Sequence, residues 1–263
     1  MNQFQESGEL LRKEPLSPGV WRLTIRAPEI ARTARPGQFV MVRTGEGCDP
    51  LLRRPLSIHQ TSGDGTVQLL FKVVGKGTAR LAEITIGRQL NLVGPLGRGF
   101  ETAGRTAICL VGGGMGIAPL YFLARELLRF SQTEPPFVFL GARTRSELSR
   151  LAEDFVVLGV RNLQLATDDG SMGHHGLVTD LLARQFAGAE HLSVCTCGPQ
   201  PMMRAVAGLC RSKGWSCQVS LETMMACGIG ACLGCAVSGV EPDGDYLHVC
   251  KDGPVFQADR LGW

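Results

Sequence analysis

Leu110-Val111-Gly112-Gly113-Gly114-Met115-Gly116-Ile117-Ala118-Pro119-Leu120 sets four glycines between an unbroken apolar run and a helix-compatible stretch. That order reads as a buried strand turning into a helix. Glycines at such a turn let the backbone approach a diphosphate at the helix N-terminus, where N–H groups and the helix dipole favour an anion. The pattern is not G-x-G-x-x-G. No acidic residue follows the second strand, where Gly141-Ala142-Arg143-Thr144 stands instead.

The flanks strengthen the reading. Strands are predicted over 106–111, 136–140, 163–167 and 192–196, with helices over 118–130, 176–185 and 201–213. This alternation predicts a parallel sheet with helices on both faces. Ligands of such sheets bind at the C-terminal strand ends. Thr167-Asp168-Asp169-Gly170-Ser171 and Cys197-Gly198-Pro199 stand at two such ends, the first with a plain Asp-Gly turn as its other reading.

Residues 1 to about 100 follow another rhythm. Short β-branched runs at 20–25, 38–42 and 67–74 are separated by Pro18-Gly19, Pro36-Gly37 and Ser62-Gly63-Asp64-Gly65. Many short strands with turn signals predict a small barrel or sandwich, with one helix near 78–84.

With 263 residues the chain has material for about two domains. Glycine supplies 34 residues, well above average usage, and charged residues only 19%. That balance excludes disorder and coiled coil. A net charge of +3 without any long Lys/Arg run argues against nucleic acid as partner. No apolar stretch reaches ~18–20 residues and residues 1–6 lack signal-peptide order, so a cytoplasmic protein with no membrane span is expected.

Ten cysteines need a reason in that compartment. Cys227, Cys232 and Cys235 are spaced C-x4-C-x2-C, and Cys250 follows after 14 residues, which is the plant-type [2Fe–2S] spacing. Gly228, Gly230 and Gly234 let the backbone curl around a cluster and turn N–H groups toward its sulfides. A four-cysteine zinc site is the alternative, although zinc favours paired C-x2-C knuckles and only one is present. Unrelated buried thiols are a third reading. Met224, Met225 and Leu233 are expected either to shield the cluster or to serve as core. Cys48, Cys109, Cys195, Cys210 and Cys217 show no ligand spacing.

In the first part, Arg54-Pro55-Leu56-Ser57 opens an apolar strand; a guanidinium fork beside a hydroxyl suits a diphosphate plus a polar contact to a ring. With Gly75-Lys76-Gly77-Thr78 and Gly94-Pro95-Leu96-Gly97, this set resembles the flavin domain of the ferredoxin–NADP reductase superfamily, motif R-x-[YF]-S-[ILV], except that Leu56 replaces the aromatic residue. The resemblance implies an N-terminal antiparallel β-barrel that binds FAD. Arg54 would hold the pyrophosphate, Pro55 and Leu56 would flank the flavin, and Ser57 would be a catalytic residue near its N5. Phe71, Lys72 and Val73 would line the ring and ribityl chain, and Gly77 and Thr78 would bind phosphate. His59 is read as a structural strand histidine, with proton donation as the alternative. G-G-G-x-G-[IL]-[AT]-P and C-G-P resemble the nucleotide loops of the same superfamily. Gly112, Gly113, Gly114, Gly116, Gly198 and Pro199 would then bind a pyridine nucleotide, with Cys197 catalytic near the nicotinamide.

Domain order and a lobe of only about 45 residues narrow the choice. Met225-Ala226-Cys227-Gly228-x-Gly230-x-Cys232-x-x-Cys235, with Cys250-x-Asp252-Gly253-Pro254-Val255-Phe256, resembles the electron-transfer subunits of class 1B dihydroorotate dehydrogenases, over the whole chain. The resemblance implies a multidomain β and α/β protein: an FAD barrel at 1–101, a parallel α/β nucleotide domain at 102–217 and a [2Fe–2S] lobe at 218–263. It implies a relay from dihydroorotate oxidation at a partner's FMN, through the cluster and FAD, to NAD in pyrimidine biosynthesis, within a heterotetramer of two subunits of each kind. NADP is not distinguished: Arg143 and Arg145 stand either where a 2′-phosphate would be met or as solvated charges. The sister reading is the small subunit of an NADH-dependent ferredoxin–NADP oxidoreductase or sulfide dehydrogenase. Such proteins often carry aspartate at one cluster position, where this chain has four cysteines. A zinc-stabilised nucleotide-binding regulator is the alternative of another class.

Overall fold

The computed structural model describes residues 3–104, 107–130, 135–240 and 246–263, so Thr106, expected to open a strand, lies outside the described residues. The N-terminal part is a closed six-stranded barrel of β1 (Phe4–Ser17), β2 (Val20–Arg26), β3 (Phe39–Val42), β4 (Arg54–Thr61), β5 (Thr66–Lys72) and β6 (Gln89–Leu96). Its order is β1-β2-β5-β4-β3-β6, with every pair antiparallel. Closure removes sheet edges. Register shifts at Leu10/Arg12 and Pro15/Ser17 bend β1 so that it reaches both β2 and β6. Leu10, Leu23, Ile25, Ile58 and Leu69 fill the interior. Besides the predicted helix, which is α2 (Lys76–Glu83), a short α1 (Pro28–Thr33) starts at a proline and buries Ile30 in the barrel core.

The second part is a sheet of order β10-β9-β8-β7-β11-β12-β15, the last strand being Val255–Gln257. It contains β7 (Ile108–Gly113), β8 (Phe137–Ala142), β9 (Asn162–Thr167), β10 (His174–His175), β11 (Ser193–Cys197) and β12 (Ser216–Ser220), all parallel. Helices α3 (Ile117–Phe130) and α4 (Arg145–Leu158) share one apolar cluster, and α5 (Val178–Gln185) and α6 (Gln200–Lys213) another. Those clusters are the two covered faces. The sequence reading places no helix at α4, yet Leu148, Leu151, Ala152 and Phe155 recur at helical spacing, all buried, and Gly159 ends the helix at φ +89°.

The sheet departs from the expected all-parallel form at its last strand. The final segment forms a small hairpin of β13 (Ala236–Ser238) and β14 (Tyr246–His248), then returns as β15 (Val255–Gln257), antiparallel against β12. Added this way, β15 covers the β12 edge that would otherwise stand unpaired. β12 itself runs across position 217/218, and the core of the last segment (Leu247, Val249, Phe256, Leu261) is continuous with the α6 face of the sheet and with Phe39, Met41 and Leu96 of the barrel. The cysteine-bearing segment is thus a third element of the fold, built into the second.

Candidate cofactor and cluster site

β4 opens at Arg54, and α2 begins where β5 has ended. The Arg54 guanidinium donates to the Leu52 carbonyl at 2.8 Å and lies over Gly77, where a Cβ would stand 2.6 Å from Arg54 Nε. Thr78 Oγ1 accepts the N–H groups of Val74 (2.9 Å) and Gly75 (3.2 Å), fixing the turn into α2. Lys76 pairs with Asp49 of the preceding loop, and this pairing lowers the Asp49 carboxyl pKa. A guanidinium against a helix start is an anion cradle, and glycine at 77 is what lets the two meet.

A cavity of about 270 Å³ extends from this cradle along Arg54, Pro55, Leu56, Ser57 and Thr78. Phe71 and Lys72 line it, while Leu56 and Phe71 also belong to the barrel core. Val73 packs against that core, and exposed Val74 lines the cavity instead. Lys72 turns its amine away to Glu147 of α4, at 3.1 Å. The opposite wall holds Met115 and Ala118 from the nucleotide loop, and Leu221–Thr223, Met225 and Pro254 from the cysteine-bearing segment. Barrel, sheet and last segment therefore build one cavity together.

Chain order reverses between β7 and β11, the neighbours at the centre of the sheet. Their C-terminal loops interlock: a Cβ at Gly116 would lie 2.3 Å from the Cys197 carbonyl carbon and oxygen, and Gly198, at φ +152°, abuts Gly113. Two cavities, of about 450 and 490 Å³, open there and share Gly113, Gly114 and Pro199; Gly116 and Gly198 line the second. Gly112 lies behind the wall, facing Leu120, Ile117 and Leu140. The first, of about 450 Å³, carries Arg143, Glu147 and Asp168. Arg143 is engaged by Glu147 at 2.8 Å, and Arg143 and Lys72 hold the Glu147 pKa below its ordinary value. Arg145 is tied by its backbone N–H to Ser171 Oγ at 2.8 Å.

Cys197 is fully buried, and burial, with Glu222 nearby, pushes its thiol far above the ordinary range. It lies behind the cavities, whose linings carry its neighbours Gly198 and Pro199 instead. Glu222 itself escaped the sequence reading. It lines both the second of these cavities and the cavity beside Arg54, and desolvation there raises its carboxyl pKa. Its position just past β12, at a C-terminal strand end, was the available signal.

The four candidate ligands fall into two pairs. Cys235 and Cys250 sulfurs are 3.3 Å apart, and the Cys232 thiol bonds Cys227. Among the described residues no three such side chains surround one ion position. Thiols in twos fit a cluster with two ligands on each iron. The Cys227 sulfur accepts N–H groups of Ile229 and Cys232, both at 3.4 Å, and Cys250 accepts that of Gly230 at 3.1 Å. Burial alone would raise the Cys227 thiol; those N–H groups bring it down to about 6. Enclosure and the adjacent Cys235 push Cys250 up to about 12. Gly228 and Gly230 take left-handed φ, and so does Leu233 at +59°. Met225 is buried, whereas Met224 and Leu233 point outward. The donor set and its N–H cage fit an iron–sulfur cluster.

Known proteins agree with this geometry. Family profiles match as oxidoreductase FAD-binding domain over residues 7–100, oxidoreductase NAD-binding domain over 110–208, and iron–sulfur cluster binding domain of dihydroorotate dehydrogenase B over 222–262. The last match overturns the zinc alternative. The electron transfer subunit of dihydroorotate dehydrogenase B (NAD(+)) from Desulforamulus reducens is 40% identical over 252 residues, 94% of each chain. That from Geobacillus thermodenitrificans is 37% identical over 98% of each. A structure from work on NADH-dependent reduced ferredoxin–NADP oxidoreductase superposes at TM-score 0.86 with 32% identity, covering 98% of this chain and 90% of that one. A ferredoxin NADP+ reductase from Neisseria gonorrhoeae, at 16% identity, TM-score 0.68 and coverage of 80% and 92%, shares the fold. With an FAD site, an NAD site and an iron–sulfur site in one oxidoreductase chain, and near-full-length relatives at this identity, the chain belongs to the electron transfer subunits of dihydroorotate dehydrogenase B.

Proposed function

We propose that this chain carries electrons from dihydroorotate, oxidised in a partner subunit that holds FMN, to NAD, as a step of pyrimidine biosynthesis. The observation that carries the reading is the shared wall: the segment from Leu221 to Met225 closes the flavin cavity and leads directly into Cys227. When bound, the flavin exchanges a hydride with nicotinamide and single electrons with the cluster, so both groups serve one chain.

In this reading Arg54, Gly77 and Thr78 bind the FAD diphosphate, and Pro55, Leu56, Ser57, Phe71 and Lys72 orient its ring. Gly113, Gly114, Gly116, Gly198 and Pro199 bind the nucleotide, Gly112 keeps its loop tight, and Cys197, buried at the end of β11 behind Gly198 and Pro199, is the catalytic candidate near the nicotinamide. Ser57 holds a hydroxyl toward the reacting ring. Cys227, Cys232, Cys235 and Cys250 hold the cluster. The units 1–101, 102–217 and 218–263 act as one body, assembled as two of these chains with two catalytic subunits in the cytoplasm. No described helix is long and apolar enough to cross a membrane.

The test is reconstitution with an FMN-bearing partner and measurement of dihydroorotate-dependent reduction of NAD, with NADP in parallel. Cys232→Ser is expected to abolish transfer while leaving FAD bound; full activity in that variant overturns the relay. The small-subunit reading of an NADH-dependent ferredoxin–NADP oxidoreductase draws on the 32% identical structure. Co-purification with a ferredoxin-type partner, and none that oxidises dihydroorotate, would favour it.

A further inference from the structure

A fully enclosed imidazole lies outside all these cavities. His59 stands on β4, two residues beyond Ser57, and is 1% exposed. Its Nδ1 is 3.2 Å from the Ala118 carbonyl oxygen in the first turn of α3. Its ring stacks on Tyr121 of the same helix at 4.4 Å, and Tyr121 meets Phe155 of α4 edge-on at 5.3 Å. Nε2 faces Asp154 of α4 at 3.9 Å, and Asp154 pairs with Arg22 of β2. On the other side Arg125 of α3 bonds Gln60 Oε1 at 3.0 Å and the Thr61 carbonyl, both on β4. Barrel and sheet thus meet through directional polar contacts around one ring.

A carbonyl partner assigns the proton to Nδ1, which leaves Nε2 with its lone pair. Burial, with Arg22 and Arg125 on either side, holds the imidazole neutral, down to about 3. Since His59 also lines none of the cavities, proton donation to a bound group does not fit its position. What remains is mechanical. β4 carries Arg54 and Ser57 in the flavin cavity, while Ala118 lines the same cavity from the nucleotide loop. The bond therefore joins the strand beneath the flavin to the first turn of α3, which the glycine loop that presents the nucleotide leads into.

We propose that His59 is a positioning residue for hydride transfer: through Ala118 it sets the nucleotide loop against the flavin-bearing strand. This rests on the flavin-to-nicotinamide reading above. Reacting atoms need near-contact geometry, and a shift of about 1 Å can cost on the order of 100-fold in rate. Affinity for the two groups, held by Arg54 and the glycine loops, does not depend on this bond.

The test is anaerobic stopped-flow reduction of bound FAD by NADH. If wild-type FAD is not reduced, the underlying reading fails, whatever His59 does. With wild type reduced, His59→Leu is expected to keep its FAD and to bind NADH within about twofold of wild type. Its hydride step should slow about tenfold or more. His59→Asn, whose amide N–H can replace Nδ1–H, is expected to recover most of that loss. A wild-type rate in His59→Leu, or no recovery in His59→Asn, overturns the proposal. Should His59→Leu not retain FAD, His59→Phe, which keeps the stack on Tyr121, takes its place. Independently of activity, the ¹⁵N spectrum of the wild-type imidazole should show an Nδ1–H tautomer that does not titrate above about pH 5. An Nε2–H tautomer, or titration near the ordinary value of about 6.5, overturns it as well.

Discussion

Gly77 and Arg54 are 23 positions apart, yet a single methyl group at Gly77 would lie 2.6 Å from the guanidinium. A side chain there must push Arg54 off the start of α2 and dismantle the anion cradle. Gly77→Ala is therefore expected to purify with little FAD, measured as flavin absorbance per chain, whereas Gly188→Ala, which meets open space, should retain it. Equal flavin content in the two variants would contradict the cradle. The arginine and the glycines were each visible in sequence. Their contact was not, because it is made by two segments folding back on one another. Glu222 and His59 show the same limit more sharply. One is a lone carboxylate beside the cysteine segment and the other a lone histidine in a strand, and neither acquires meaning until its neighbours from other elements are known.

Among the elements, strands and helices with a strong period were legible, and short or tertiary-dependent ones were not. α4 carried such a signal in Leu148, Leu151, Ala152 and Phe155, yet the sequence reading placed no helix there. β15, three residues long, has no pattern of its own and becomes a strand because β12 offers it an edge. The loop after β7 lies between these cases. Its glycines announce a close approach, but the object approached is the Cys197–Gly198 turn, 81 positions beyond Gly116. Gly116→Ala cannot place its methyl group 2.3 Å from the Cys197 carbonyl without parting the two loops. NADH binding, followed by calorimetry, should fall at least tenfold, about 1.4 kcal/mol. Bound FAD should stay near wild-type content, since the Arg54 cradle lies on the barrel. Unchanged NADH affinity would remove the interlocked loops from the nucleotide site.

For the whole molecule, the question is whether the cysteine segment is an appendage. It supplies Leu221–Thr223, Met225 and Pro254 to the flavin wall, β15 to the sheet and Phe256 and Leu261 to a core shared with the barrel. A chain ended after Cys217 would expose that core, cut β12 short and open the flavin cavity on one side. It is expected to aggregate, or to stay in solution without FAD, as size-exclusion chromatography with flavin absorbance would show. A monomer with full FAD content would mean that the flavin site is complete without the segment.

The sequence by itself determined the chemistry available. Three cysteines at C-x4-C-x2-C with a fourth further on, glycines between a buried strand and a helix, and an arginine beside a hydroxyl are local patterns, and local backbone conformation and ligand spacing follow from them directly. Tertiary structure alone decided that the thiols stand in two pairs, that Glu222 lies between the flavin and nucleotide cavities, that Lys72 reaches across to Glu147, and that His59 holds Ala118. The last three of these depend on segments remote in the chain. Their proximity is set by how the barrel, the sheet and the last segment bury their apolar faces against one another, and no spacing within a single stretch encodes it.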